Sequence, residues 1–331
     1  MIRKRKSDKK HIGVRALALA GVLSLSLFAT PIDTMAKAAE EEMPNETVNI
    51  SRAAEANAVD TGERSISRLS YNLPGIPSRY ISSYTQKNIA YNGTTLNKRA
   101  AVINGITYVP IKLFSETVAG ARVTYNSSAR TTTVSASGLY LTATDGGYVI
   151  WANDRPLFSF SPSIVMSNGD MYVPSSALER AYGIKRSSET SRTVSYSGAF
   201  SPLVSASRFY REDEVYWLSK IISAESSGES LLGQIAVGDV ILNRVKSAQF
   251  PNTIYSVIFD KKYGVQFSPT ADGRIYAAPT YTATLAAKIC LEGTSLSDDA
   301  MYFLNPRAAE SNWIVKNRKY IYTIGNHDFY K

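Results

Sequence analysis

The sequence predicts a multidomain protein in which a β-rich, internally duplicated domain precedes a mainly helical α+β domain. Two observations predict it. Residues 88–198 run in short alternating segments that repeat themselves, whereas from Glu212 onward the apolar residues shift to helical spacing. A third feature, at the amino terminus, sets the compartment.

The chain opens with a basic segment, Arg3-Lys4-Arg5-Lys6 followed by Lys9, Lys10 and Arg15, and then runs from Ala16 to Ala29 without a charge. That order is the pattern of a secretory signal, and Ala36-Lys37-Ala38 offers a cleavage site. Cleavage after Ala38 is expected, with an uncleaved anchor as the alternative. Both place the folded part outside the cytoplasm, in the extracellular space or cell wall, and no transmembrane span is expected after cleavage. Segment 1–38 holds eight Lys/Arg and two Asp, so it accounts for +6 of the whole-chain net charge of +9. The remainder is too weakly basic to argue for nucleic acid. Cys290 is the single cysteine, which excludes an intramolecular disulfide framework, so stability has to come from packed cores. A monomer is expected.

Residues 39–87 are polar and weakly patterned, with Glu40 to Glu42, Pro74 and Pro77, and read as a flexible linker. In residues 88–198, Tyr140, Thr142 and Thr144 alternate with Leu141 and Ala143, and Asp145-Gly146-Gly147 forms a turn before Tyr148 to Ala152. Asn104-Gly105-x-x-Tyr108-Val109-Pro110 recurs 64 residues later as Asn168-Gly169-x-x-Tyr172-Val173-Pro174. Each copy continues into a short helical stretch, Leu113 to Val118 or Ala177 to Tyr182, and a strand ending Thr133-Val134-Ser135 or Thr193-Val194-Ser195. One supersecondary unit used twice is the economical reading. This pattern resembles the copper-amine-oxidase N-terminal-like, or stalk, domain. Despite that name the stretch contains no His and no Cys, the ligands copper prefers, and is read as a spacer or wall-adhesion module without metal. Residues 199–210 are expected as a second linker.

In residues 211–331, Val215, Leu218, Ile222 and Glu225 fall at spacings of 3, 4 and 3, one face of a helix from about Glu212 to Ala224. A carboxylate thus ends an apolar stripe, where desolvation favours the protonated form that a general acid needs at neutral pH. From spacing alone, an exposed helix-end residue fits as well. The surrounding blocks decide between them: Ala224-Glu225-x-x-Gly228-Glu229, a nearly all-apolar helix from Gly233 to Ser247, Gly264-Val265-Gln266-Phe267, Tyr302-x-x-Asn305-Pro306, Trp313, and Gly325-Asn326-His327. In this order they resemble the spore-cortex-lytic and cell-wall hydrolase family, the SleB-type hydrolases.

The resemblance implies a small lysozyme-like domain that cleaves peptidoglycan glycan strands between N-acetylmuramic acid and N-acetylglucosamine. It places the family's acid on Glu225. It also implies lytic transglycosylation, in which one carboxyl serves first as acid and then as base, whereas two-carboxylate glycosidases need a partner about 5–9.5 Å away. Glu229 is the obvious second carboxylate and is preferred as a residue capping the next helix. Ser227 stands where family members commonly carry a basic residue. With Glu229, the residues Gln266, Tyr302, Asn305 and Trp313 form the candidate substrate-binding set, although Tyr302 and Trp313 would serve equally as core aromatics.

No cofactor and no metal are expected. A zinc amidase needs about three ligands, commonly His, and beyond the signal segment only His327 remains. A cysteine peptidase built on Cys290 and His327 would place its thiol near a helix carboxy terminus, the wrong end for a thiolate. A non-catalytic wall-binding protein is the remaining alternative, and the intact Ala-Glu-x-x-Gly-Glu block argues against it.

Overall fold

The computed structural model describes residues 84–331 except 167, 263, 310 and 311. The expected signal segment 1–38 and nearly all of linker 39–87 lie outside the described residues.

The β-rich region contains strands β1 (Thr85–Tyr91), β2 (Thr94–Ile103) and β3 (Ile106–Pro110), helix α1 (Ile111–Ala119), then β4 (Arg122–Asn126), β5 (Thr131–Ala136), β6 (Leu139–Thr144), β7 (Val149–Ala152), β8 (Arg155–Phe158), β9 (Ile164–Val165) and β10 (Met171–Pro174), helix α2 (Ser175–Tyr182), β11 (Lys185–Glu189) and β12 (Thr193–Ser197). The first strand thus begins three residues before the expected boundary. A seven-stranded sheet takes the order β11-β12-β1-β2-β3-β10-β9, and β4 to β8 form a five-stranded meander.

The two Tyr-Val-Pro segments pair with each other in antiparallel register, Tyr108 with Pro174, Val109 with Val173 and Pro110 with Tyr172. Each runs into a helix that stops at a glycine in the left-handed region, Gly120 (φ 56°) or Gly183 (φ 64°), and then into an antiparallel strand pair. The alternation seen in sequence becomes burial: Leu139, Leu141 and Ala143 of β6 point inward while Tyr140 faces out. Phe114, Tyr182 and Tyr196 pack ring against ring where α1, α2 and β12 meet.

The carboxy-terminal region contains α3 (Ala206–Phe209), α4 (Glu212–Ser226), α5 (Leu231–Lys246), α6 (Ile254–Ile258), α7 (Pro269–Asp272), a 3-10 turn (Arg274–Tyr276), α8 (Tyr281–Leu291), strand β13 (Tyr302–Leu304), α9 (Trp313–Asn317), β14 (Tyr320–Ile324) and β15 (His327–Tyr330). Strands β13, β15 and β14 form a small antiparallel sheet in that order. Helices α4, α5 and α8 share a core of Ile222, Ile235, Val240, Ala283, Ala286 and Cys290. A Cβ on Gly238 would sit 2.7 Å from Cys290 Sγ and 3.0 Å from Ile222 Cδ1, so glycine there lets three helices close on one another. Among the described residues no helix is long and apolar enough to cross a membrane.

The expected linker 199–210 is a strap laced onto the β-rich region. Ser201 N donates to Tyr182 O (2.8 Å), Leu203 N to Ala181 O (3.0 Å), Asn153 Nδ2 to Leu203 O (2.6 Å) and Ala206 N to Asn153 O (3.0 Å). The strap delivers Phe209 and Tyr210 to a buried ion cluster that joins the two regions. Glu292, just past α8, has a side chain with no solvent exposure. Arg155 donates to it from Nε and Nη2 (2.8 Å each), Arg180 donates from Nη2 (2.6 Å), and the Tyr210 hydroxyl donates to Oε1. The Arg155 guanidinium lies 3.3 Å from the Phe209 ring centroid. Two arginines from the β-rich region therefore depend on one carboxylate of the helical region.

Removing one member of a buried ion cluster leaves the others charged and unpaired. Glu292→Gln is expected to lower the unfolding free energy by about 3–5 kcal/mol, read as a shift in urea midpoint, and to expose the 199–210 strap to protease. An unchanged midpoint would contradict the cluster's assigned weight.

Candidate active site

Helix α4 begins with Glu212, Asp213 and Glu214, acidic side chains that suit the positive pole of a helix. It runs to Ser226, two residues beyond the expected end, where the Ser226 hydroxyl bonds back to Ile222 O (2.8 Å) and Gly228 follows. Glu225 stands in that last turn, beneath buried Leu218 and Ile222. It is half-buried, and among the described residues its carboxyl group accepts no hydrogen bond and pairs with no cation. Burial pushes its pKa up to about 7, opposed by the nearby positive charges of Arg274 and Arg244 and assisted by Asp272. The negative pole at the end of α4 acts in the same direction as burial.

The segment from α7 to the start of α8 is fastened along α4. The Lys220 ammonium donates to Tyr276 O (2.8 Å) and Ala277 O (2.9 Å), Thr280 N to Ser223 Oγ (3.1 Å), and Arg274 Nη1 to Ala224 O (3.3 Å). Arg274 is also paired with Asp272 at 2.8 Å. On the α5 side stands Arg244. It is 5 % exposed, donates from Nε to Met301 O (2.8 Å), and lies 4.9, 5.1 and 5.3 Å from the ring centroids of Phe250, Phe267 and Tyr302. Desolvation lowers its pKa to about 10.

Among the candidate binding residues, Tyr302 and Trp313 come together, their ring centroids 6.5 Å apart. Trp313 is 50 % exposed, so a core role does not describe it, while Tyr302 is half-buried. Gln266 is half-buried beside Phe267, and its Nε2 donates to Gly264 O (3.3 Å). Asn305 is occupied in a turn, its side-chain oxygen accepting from Arg307 N (3.0 Å).

Glu229 is not the cap expected of it. Ser230 caps α5 by accepting from Gly233 N (3.3 Å), while Glu229 turns to the β14–β15 turn and accepts from Asn326 Nδ2 (2.9 Å) and Asn326 N (3.2 Å). His327 Nδ1 lies 3.6 Å from Glu229 Oε1, and burial lowers the pKa of this histidine. Gly325 takes φ 56°, and a Cβ there would overlap the Glu229 carboxylate. The Gly325-Asn326-His327 block is thus a cradle for Glu229. Sequence carried no sign of this pairing across 97 residues.

Two further buried groups, Asp239 and Cys290, have protein partners. Asp239 accepts from Leu296 N (2.5 Å), and Cys290 lies between α5 and α8 with its thiol directed at Ile235 O (3.4 Å), where burial raises its pKa, contrary to the need of a thiolate nucleophile. Among the described residues no three His, Cys, Asp or Glu side chains are grouped to hold a metal.

Residues 228–330 match the Cell Wall Hydrolase family. The chain thus carries a cell wall hydrolase domain at its carboxy terminus. The matched range starts three residues after Glu225. Residues 90–196 match the Copper amine oxidase N-terminal domain, and with no His or Cys in that range its donors do not fit copper. The spore cortex-lytic enzyme of Bacillus cereus is 42 % identical over 122 residues, which are 37 % of this chain and 46 % of that protein. That of Oceanobacillus iheyensis is 37 % identical over 130 residues, 39 % of this chain and 46 % of the other. The chain therefore spans about half the length of these relatives. The catalytic domain of the germination-specific lytic transglycosylase SleB from Bacillus anthracis is 42 % identical, with 37 % of this chain and 97 % of that one covered and a TM-score of 0.34.

In this hydrolase domain the Glu229 cradle needs glycine at 325 for both backbone and space. Gly325→Ala is expected to cost about 1–3 kcal/mol, visible as a lower thermal midpoint, and the same midpoint as the parent chain would contradict the cradle.

Proposed function

We propose that the chain is an exported enzyme that cleaves peptidoglycan glycan strands between N-acetylmuramic acid and N-acetylglucosamine by lytic transglycosylation, with Glu225 as the single acid and base. One observation carries this reading: a half-buried carboxyl with a pKa pushed up to about 7 that no group among the described residues hydrogen-bonds or pairs. The other buried carboxylates of the domain are committed to Asn326, the Leu296 amide and the arginine pair. The names of the relatives, spore cortex-lytic enzyme and lytic transglycosylase, support the same chemistry.

In the proposed reaction the Glu225 proton passes to the glycosidic oxygen as the C1–O bond breaks, and its electron pair leaves with the N-acetylglucosamine O4. The resulting carboxylate then takes the proton of the muramic acid 6-hydroxyl, whose oxygen closes on C1. The products are a 1,6-anhydro end and a free 4-hydroxyl, and the carboxyl is again protonated. Tyr302 and Trp313 supply aromatic faces for sugar rings beside Arg244, and Gln266 borders the same wall. Glu229 and Asn305 shape that wall through the β14–β15 turn and the turn after β13. Export through the 1–38 signal, a lysozyme-like class for the domain and a monomeric state belong to this reading. So does duplication of the β-rich domain, supported by the same order of turn, strand, helix and strand pair around the Val109–Val173 pairing.

Glu225→Gln is expected to reduce clearing of peptidoglycan by about 10²–10⁴-fold, and near-parental clearing would sink the role. The parental rate is expected to hold below pH 7 and to fall above it, because the proton is needed at the first step. Stability has the same origin. Between about pH 4.5 and 7 an unfolded glutamate has lost its proton while folded Glu225 keeps it, so stability falls as pH rises through that window, by up to about 3 kcal/mol. Glu225→Gln is expected to remove that loss, seen by comparing urea midpoints at pH 5 and pH 8. Mass spectrometry of the released muropeptides checks the chemistry: anhydro ends are expected, whereas products one water heavier would assign hydrolysis.

A further inference from the structure

Beside the candidate acid, a second arginine meets the Tyr302 ring. The Arg318 guanidinium carbon lies 4.5 Å from the Tyr302 centroid and 5.0 Å from that of Trp313, within cation–π distance of two rings that stand at 65° to each other. Its Nε is closed off from solvent and has no hydrogen-bond partner. Among the described residues its guanidinium donates no hydrogen bond and forms no ion pair. Two aromatic rings thus flank a half-buried fork whose Nη edge no acceptor among the described residues uses.

The position of this fork connects it to the chemistry. Tyr302 touches Arg318 on one side and Arg244 on the other, and Arg244 lies within electrostatic reach of Glu225. The flanking sequence adds Arg307, Lys316 and Lys319, all exposed, against the single acidic residue Glu310. A neutral sugar would need no such charge. A planar guanidinium beside two aromatic rings, with no polar partner among the described residues, suits a carboxylate, which it can meet with two parallel N–H donors.

We propose that Arg318 is a specificity residue that receives a carboxylate borne by the muramic acid unit of the strand, either on its lactyl group or on peptide attached there. This rests on the glycan-strand reading above. The carboxylate would be read beside the Tyr302–Trp313 ring pair, with the sugar ring against the half-exposed Trp313. Arg318 then selects substituted glycan, while Glu225 acts on the bond.

Binding to insoluble peptidoglycan tests this without relying on turnover. In full-length protein carrying Glu225→Gln, which leaves the wall intact, depletion from solution is measured on native wall and on wall whose carboxylates have been amidated with carbodiimide and methylamine. Amidation is expected to weaken binding by about tenfold. Adding Arg318→Met is expected to abolish the preference, so that both walls bind alike at the weaker level. Arg318→Lys, which keeps the charge without the fork, is expected to retain the preference at reduced strength and shows that the site tolerates substitution. Wall stripped of peptide by an amidase separates the sources: binding retained assigns the lactyl carboxylate, and binding lost assigns the peptide. The proposal is overturned if the Met variant keeps the parental preference for native wall, or if parental binding ignores amidation. A chain that binds with this preference but releases no anhydro product would overturn the reaction and leave the Arg318 assignment standing.

Discussion

The account depends on the cost of ionising a carboxyl group withdrawn from water. Glu225 stands at the negative end of a helix, one turn beyond Ile222 and two beyond Leu218, with no hydrogen-bond donor among the described residues to stabilise its anion. Each of these circumstances favours the proton. A carboxylate that holds the fold together is paired, as Glu292 is by two arginines. Among the described residues the domain thus contains buried carboxylates with protein partners, which hold elements together, and Glu225, which has none.

Holding Glu225 unsatisfied requires rigid surroundings. Helix α8 begins at the Thr280–Ser223 contact, two residues from Glu225 along α4, and ends at Glu292, where the β-rich region is attached. Gly238 allows α5 to approach both Cys290 of α8 and Ile222 of α4. The end of α4 is therefore fixed by a helix that is itself anchored in the interdomain ion cluster. The β-rich region, read from sequence as a spacer, is through Arg155, Arg180 and the 199–210 strap a packed partner of the helical domain.

What sequence revealed follows from what is local. The Asn-Gly turns, the Tyr-Val-Pro strands and the helices after them are set by short-range preferences, and the helical stripe that ends at Glu225 is a matter of spacing within one element. All were legible to within a few residues. What sequence concealed is long-range and polar. Glu229 was read as a cap because it precedes a helix, yet the adjacent Ser230 does that work and Glu229 reaches Asn326. Arg155 and Arg180 gave no sign of meeting Glu292, since a surface arginine and an interdomain arginine look alike in a chain. Residues 199–210 lack a hydrophobic period because backbone hydrogen bonds, together with the packing of Phe200 and Leu203, hold most of the strap in place. Arg244 and Arg318 were overlooked for the opposite reason: their partners are aromatic faces, which impose no spacing rule.

The central claim is that folded Glu225 keeps its proton near neutrality. Carbon-13 NMR of the glutamate side-chain carboxyls in the full-length protein, with the Glu225 resonance assigned by its loss in Glu225→Gln, follows that proton directly. The account predicts a midpoint near pH 7, and a midpoint near 4.5, the ordinary value for glutamate, would contradict it.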